Sequence, residues 1–366
     1  MAERRWYQRI EEEATTFFTP GPRMVDEFEC VASVLLAIAF GRLAGGQNIA
    51  WAAFSGYMVM RDHISKSLWR GILRIVGSVI GALLAFVIVP RVWSHTAASA
   101  VALALVGGIS LYGALTRKHS YAWLFVGLTF VMILLNKLEH PEHVVEAFIS
   151  LRLRETLAGT VACIVVSMVS TFTVRQRWPG PPSSPPRPVD WRSDVARHAS
   201  QGALALVMLP FLWAAFRIPE LAQGAVTIMA LMLIPLGGIG KSGFIPVVRR
   251  IVLRVIGCVS GAAMAAAFLL LAGASAEMAA PLLIAGMMLG VMLGRHIENS
   301  ESAIAYGGTQ FTLAILVTLV PDSYLHAAFG PAVARLTGIL VGILLLLPVL
   351  AGWHLVVGLM EKNAKR

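Results

Sequence analysis

The chain has 366 residues, 57% of them hydrophobic and 14% charged, with a mean hydropathy of +0.74. A soluble domain carries about 45–50% apolar and about 25% charged residues, so the composition excludes a soluble enzyme or binding domain and describes an integral membrane protein. The net charge of +10 does not point to nucleic acid, because the basic residues form no patch beside stacking aromatics and lie between apolar runs instead.

In chain order, residues 1–27 form a polar arm with Glu11, Glu12 and Glu13 and no apolar core of a cleavable signal peptide. Apolar runs follow at 29–45, 48–60, 68–90, 95–115, 121–136 and 144–174, and a second six at 195–216, 221–240, 245–273, 278–294, 302–320 and 328–360. Most reach the roughly 20 residues that a bilayer requires. The second is short, and the last of each six is over-long, so its first turns are expected outside the hydrocarbon or against a cavity. This pattern predicts an all-α polytopic membrane protein of about twelve helices. Its repeats are expected at 28–175 and 194–360, with a cytoplasmic tail at 361–366. Between them, the linker at 176–193 contains Trp178–Asp190, W-P-G-P-P-S-S-P-P-R-P-V-D. Its prolines favour a stiff spacer, with docking of a proline-reading partner as the other reading.

Orientation follows from charge. Of the 30 Lys and Arg, 21 lie in the arm, the even-numbered loops, the linker and the tail, 4 in the odd loops and 5 within predicted helices. The positive-inside rule then places both termini in the cytoplasm. Cys30, Cys163 and Cys258 stand singly, without C-x-x-C, and read as small core residues. No P-loop, zinc-ligand spacing or catalytic triad is present in the sequence, so no cofactor, metal or enzymatic activity is expected.

One stretch occurs twice. Arg70–Ala85 reads R-G-I-L-R-I-V-G-S-V-I-G-A-L-L-A, and 180 positions later Arg250–Ala265 reads R-I-V-L-R-V-I-G-C-V-S-G-A-A-M-A. The shared R-x-x-x-R-x-x-G-x-x-x-G-x-x-x-A forms one helical stripe, charged at one end and small at the other. Small residues four apart let helices approach closely in a bilayer, and arginine there is costly enough to suggest a function. Gly127-Leu128-Thr129 matches Gly307-Gly308-Thr309, again at 180, and Gln47 matches Gln223 at 176. These offsets place four extra residues between the second and third helices of the second half. Six helices per half give both halves the same orientation, hence a parallel repeat about an axis along the membrane normal.

Arg70 and Arg250 sit where arginines snorkel to headgroups. Arg74 and Arg254 lie a turn deeper and are expected to face a cavity between the halves, where guanidinium binds carboxylate in bidentate fashion and stays charged when desolvated. Arg152, Arg154 and Glu155 in the sixth helix, with Arg335 in the twelfth, form either an outer-interface cluster or, at Glu155, an intramembrane proton carrier. Asp62 and His63, and likewise His296 and Glu298, lie in predicted loops. There a histidine relays protons near neutrality or is merely solvated. Leu231–Lys241 breaks the eighth helix at Pro235, and its partner in the first half, Gly56–Arg61, ends a helix that is itself unusually short. Freed amides at such a break meet an anion, or the break is a plain helix end. Gly286, Gly290, Gly294, Gly338 and Gly342 read as packing faces.

The run Trp51-Ala-Ala-Phe-Ser-Gly-Tyr57, the R-x-x-G-x-x-x-G of Leu68–Ala85 and Ser120-Tyr-Ala-Trp-Leu-Phe-Val-Gly-Leu-Thr129 resemble the fusaric-acid-resistance and aromatic-acid-exporter family of bacterial inner-membrane proteins. The resemblance spans both halves, about 28–175 and 194–360. Larger members insert a soluble cytoplasmic domain where only the proline linker stands here, and Thr227 falls where a second Trp51 is expected. The resemblance implies export of aromatic or other weak carboxylic acids. Proton-motive force is the expected drive, with Arg74, Arg254, Arg70, Arg250, Trp51, Thr129 and Thr309 as the candidate substrate-binding residues and Glu155, Asp62 and His63 as the candidates for coupling protons. The expected partners are the lipid bilayer, a small organic anion, a periplasmic adaptor subunit and, as a homodimer, a second copy of the chain. Plant malate-permeable anion channels look like a pair of such halves and supply the alternative of a passive channel. A non-transporting scaffold is the second alternative. Against it stand the repeated intramembrane arginines, since Leu and Gly would pack helices at lower cost.

Overall fold

The computed structural model describes residues 15–17, 19–179, 191–240, 242–273, 276–300, 303–322 and 328–364. Among them the regular elements are helical: α1 Pro22–Leu43, α2 Ile49–Val59, α3 Ile64–Val92, α4 Thr96–Thr116, α5 Ser120–Glu139 and α6 Val145–Phe172. After a 3-10 turn at Val174–Gln176 come α7 Ser193–Phe216, α8 Leu221–Met232, a single turn at Leu236–Ile239, α9 Phe244–Gly273, α10 Ala276–Glu298, α11 Ala305–Leu319 and α12 Gly330–Ala364. Gly180–Asp190 of the proline-rich linker and the acidic arm at Glu11–Glu13 lie outside the described residues.

Each apolar run becomes a helix, but eight of the helices are both long and apolar enough to cross a bilayer: α3, α4, α5, α6, α7, α9, α10 and α12. The shortfall from twelve has a plain cause. α2 has 11 residues, α8 has 12 and α11 has 15, and at 1.5 Å per residue α2 rises about 17 Å against a hydrocarbon core of about 30 Å. α1 is long enough at 22 residues but carries Arg23, Asp26, Glu27 and Glu29 in its first turns. The spanning helices present apolar side chains outward. On α3, Leu68, Ile72, Val76, Ile80, Leu83 and Val87 form an exposed stripe, with Leu83 60% exposed, while Arg74, Ala82 and Ala85 are buried. Such a surface belongs against lipid.

The helices pack as two units, each with its own core. One unit takes α1, α2, α3 as far as Gly71, α6 from Glu155, α9 from Ile256, α10 and α11. In it α1 packs on α2 and α10, and α11 packs on α10 and α2, around Tyr57, Cys163, Met287 and Ile315. The other takes α3 from Ile72, α4, α5, α6 to Arg154, α7, α8, α9 to Val255 and α12. There α7 packs on α8 and α4, and α5 packs on α4 and α8, around Leu111, Phe130, Leu206 and Met229. Each unit thus joins the first and second helices of one sequence half to the fourth and fifth of the other, closed in the same order. Cys30, Cys163 and Cys258 are buried with free thiols, as expected of core residues.

Glycines set the closest helix contacts, and these contacts correct the register of the repeat. A side chain at Gly77 or Gly81 would meet the carbonyl oxygens of Ala122 and Val126 well inside 3.0 Å, and one at Gly257 or Gly261 would meet those of Gly307 and Phe311 in the same way. Position 122 therefore pairs with 307 and 126 with 311, an offset of 185 in α5 and α11 where the Gly-x-Thr match suggests 180. Thr129 corresponds to Ala314, each lying 3.0 Å from where a methyl on its facing glycine would stand, and not to Thr309. Likewise Gly159 faces the carbonyl of Ala52 and Gly342 that of Gly224, and the starts of α2 and α8 at Ile49 and Leu221 agree. The offset there is 172, so Trp51 corresponds to Gln223, and Ser55 to Thr227. The second half then carries eight extra residues before α9, where the glutamine match suggested four. Residue identity chose the sequence match, whereas the room left by a facing helix chooses the packing.

Candidate functional site

The deeper pair of repeated arginines, Arg74 and Arg254, is buried by protein. Arg74 is 4% exposed. Its Nη1 donates to Tyr121 Oη at 3.4 Å, and its guanidinium carbon sits 4.2 Å from the centre of the Phe125 ring, a cation–π contact strengthened by desolvation. Arg254 is 1% exposed, and its Nη2 donates to Thr227 Oγ1 at 3.1 Å. The threonine hydroxyl in turn donates to the Gln223 carbonyl at 2.8 Å. Thr227, the residue that stands where a tryptophan was expected, is therefore a ligand of the repeated arginine. Arg70 is half-buried, with Nε donating to the Met58 carbonyl at 3.0 Å, and Arg250 is half-buried as well. Trp51 lies half-buried and edge-on to Phe54, with ring centroids 5.3 Å apart. Thr129 and Thr309 are half-buried too.

Glu155 is 1% exposed and works at a helix end. Its Oε1 accepts the Asn48 amide at 3.0 Å, while Asp322 Oδ1 accepts the next amide, Ile49, at 2.9 Å. The N-terminus of α2 is thus met by two carboxylates, which the helix dipole favours. In the other unit Glu139 Oε1 accepts the Leu221 amide at 2.9 Å, at the first residue of α8. Among the remaining candidates, Asp62 holds Lys66 with both oxygens at 3.0 Å, and His63 is exposed with its ring nitrogen 2.8 Å from Ser65 Oγ. Arg152 stacks on Phe148 at 4.9 Å, and Arg154 is exposed against Ser150.

What the sequence reading did not find is an ion network in the unit that contains α1. Asp26 accepts from Arg295 at 2.6 and 3.1 Å and from Asn299 Nδ2 at 2.6 Å. Glu27 Oε1 meets His296 Nδ1 at 2.7 Å. Glu29 is bracketed by Arg175 at 2.8 and 2.6 Å and by the Ser170 hydroxyl. Tyr57 donates to Glu298 at 2.5 Å, and Arg295 Nη2 also donates to the Met60 carbonyl at 3.2 Å, beyond the end of α2. Asp26 is 3%, Glu27 1% and Arg295 2% exposed. Burial works against the charge of Arg175, but the hydrogen bonds and charge of Glu29 hold its pKa above the usual arginine range. A cleft of about 470 Å³ opens beside the network, lined by Arg23, Asp26, Arg61, Asp62, Arg175, Arg295, Glu298 and Asn299 among others. The signal was present: Asp26 and Glu29 are three apart, on one face of a helix that runs straight into an apolar segment. Its partners lie 269 and 146 positions away, beyond any local pattern.

Lipid-facing helices enclosing buried arginines define a multi-pass α-helical membrane protein with charged groups held at its spans. Residues 36–166 match the family described as fusaric acid resistance protein-like, in support of the resemblance carried by the sequence motifs and of a transporter-like role. No curated protein and no solved structure matches the chain.

Proposed function

We propose that the protein exports organic anions, aromatic or other weak carboxylic acids, across the bacterial inner membrane. In this reading it is a twelve-helix transporter of two parallel six-helix repeats, with both termini in the cytoplasm and the proton-motive force as its drive. Arg74 carries the reading. A buried guanidinium beside a phenol and a phenyl ring offers fork-shaped donors to a carboxylate and apolar faces to the ring attached to it. Arg254 supplies the second cation, with Thr227 as its hydroxyl partner. Arg70, Arg250, Trp51, Thr129 and Thr309 are the further residues assigned to substrate binding in this reading.

Glu155 is the proton carrier in this scheme. Its carboxylate holds the Asn48 amide beside Asp322 on the next one, so taking up a proton removes one of the two charges that favour that helix end and loosens α2. Asp62, on the wall of the charged cleft, and His63 beside it are the relay to water.

Export of a panel of weak aromatic acids from loaded vesicles, normalised to protein in the membrane, tests the proposal. Arg74→Lys keeps the charge but loses the fork and weakens export, and Arg74→Ala or Arg254→Ala weakens it further. Full activity in the double alanine variant sinks the assignment. Large currents that reverse at the anion's Nernst potential and ignore pH make the protein a passive channel. Loss of coupling in Glu155→Gln supports the carrier role. Labelling of Pro185 from the periplasmic side overturns the two-by-six topology.

A further inference from the structure

The loop between α5 and α6 reads His140-Pro141-Glu142-His143, and it gathers three metal-ligating side chains. A turn closes it: the His143 amide donates to the His140 carbonyl at 3.0 Å, with proline at the second position, where its fixed φ suits a turn. The turn brings His140 Nδ1 to 3.5 Å and His143 Nε2 to 3.8 Å from the same oxygen, Glu142 Oε1. One ligand atom from each residue lies within 4.8 Å of the others, and the two imidazoles stack with centroids 4.7 Å apart. Around a tetrahedral zinc ion with bonds of about 2.0–2.1 Å, neighbouring ligand atoms stand about 3.3 Å apart. Two edges of the triangle are therefore within about half an ångström of that spacing, and exposed side chains supply the rest by small rotations.

Asn136 Oδ1 is 3.3 Å from His143 Nδ1. A proton held on that nitrogen leaves the Nε2 lone pair directed at Glu142, which is how outer partners orient a ligating histidine. Lys137 braces the same loop: its Nζ donates to the carbonyls of Pro141 and His143 and lies 4.9 Å from the centre of the Trp93 ring. Two imidazoles and one carboxylate suit zinc, cobalt, nickel or copper, whereas magnesium and calcium prefer shells of oxygen.

We propose that His140, Glu142 and His143 bind one divalent transition-metal ion, zinc or a neighbour, with water completing the shell. The spacing is neither the paired cysteine pattern nor the H-x-x-x-H of a helix, so the sequence reading expected no metal. The bound ion clamps the α5–α6 loop one residue from Glu139, which holds the first amide of α8.

Full-length protein purified without a polyhistidine tag and stripped with EDTA is titrated with Zn²⁺ by calorimetry and with Co²⁺ by visible absorption. One equivalent is expected, with the intense cobalt bands of a four-coordinate site. His140→Ala and His143→Ala should each weaken binding by about tenfold or more, and Asn136→Ala by less. His63→Ala and His354→Ala should leave it unchanged, and Mg²⁺ should not compete. The three ligating residues are exposed, so their variants should elute from gel filtration as the parent does. Absence of zinc binding in the parent, equal competition by Mg²⁺, or unchanged affinity in the His140→Ala, His143→Ala double variant overturns the site.

Discussion

The unit containing α1 closes the end of α2 with Arg295, while the unit containing α7 closes the end of α8 with His198. Both groups reach a methionine carbonyl at the helix end, Met60 at 3.2 Å and Met232 at 2.9 Å, the latter also accepting the Ile234 amide. The need is the same, but the solutions differ in kind. Arg295 brings a full charge into a buried site and so requires Asp26, Glu298 and, through them, Asn299 and Tyr57. His198, itself fully buried, reaches that carbonyl through one ring nitrogen, with no ion pair beside it among the described residues. Two units closed in the same order by corresponding helices thus differ in electrostatics at one end.

The strongest way to break this comparison is Arg295→Ala. Removing the closest cation leaves the buried Asp26 with Asn299 at 2.6 Å and the more distant Arg175 at 3.7 Å, and should cost about 3–5 kcal/mol, read as a lower unfolding temperature in detergent. Arg295→Met combined with Asp26→Leu should recover much of that loss, because it removes the stranded charge as well. A loss below about 1 kcal/mol for Arg295→Ala alone would mean that water reaches the network and that the two ends are alike after all.

Gly77→Ala and Gly257→Ala test the feature the units share. Each added methyl meets a backbone carbonyl that has nowhere to go, so both should cost about 1–3 kcal/mol, by comparable amounts. Unequal losses would undo the packing register that pairs 122 with 307. His198→Ala removes a fully buried ring as well as one hydrogen bond, and should cost about 1–3 kcal/mol, less than the loss of the arginine. Smallest are the helix-end acceptors, at about 0.3–1 kcal/mol. Glu139→Ala should exceed Asp322→Ala, because α2 retains Glu155 when Asp322 is lost. Amide exchange at Leu221 and Ile49 reads this difference directly.

The membrane class, the positions of the helices and the arginine–glycine stripe were legible in the residues alone. Hydropathy over about 20 residues and a spacing of four are local properties, and any helix turns them into a span and a face. The stripe of Arg74, Gly77 and Gly81 needed no partner to be seen. Its partner register did: a glutamine and a Gly-x-Thr triplet aligned by identity, whereas α2 with α6 and α5 with α3 meet wherever carbonyls find a glycine. The ion network was beyond reach for a related reason. Asp26, Glu27 and Glu29 look like the end of a polar arm until α1 is laid against α10, whose Arg295 and His296 look like loop charges. Glu155 was legible as a buried acid, but its role at the α2 terminus depends on a helix more than 100 positions away. Only tertiary packing decides such matters, because the free energy of a buried charge is set by what stands within a few ångströms of it and not by its neighbours along the chain.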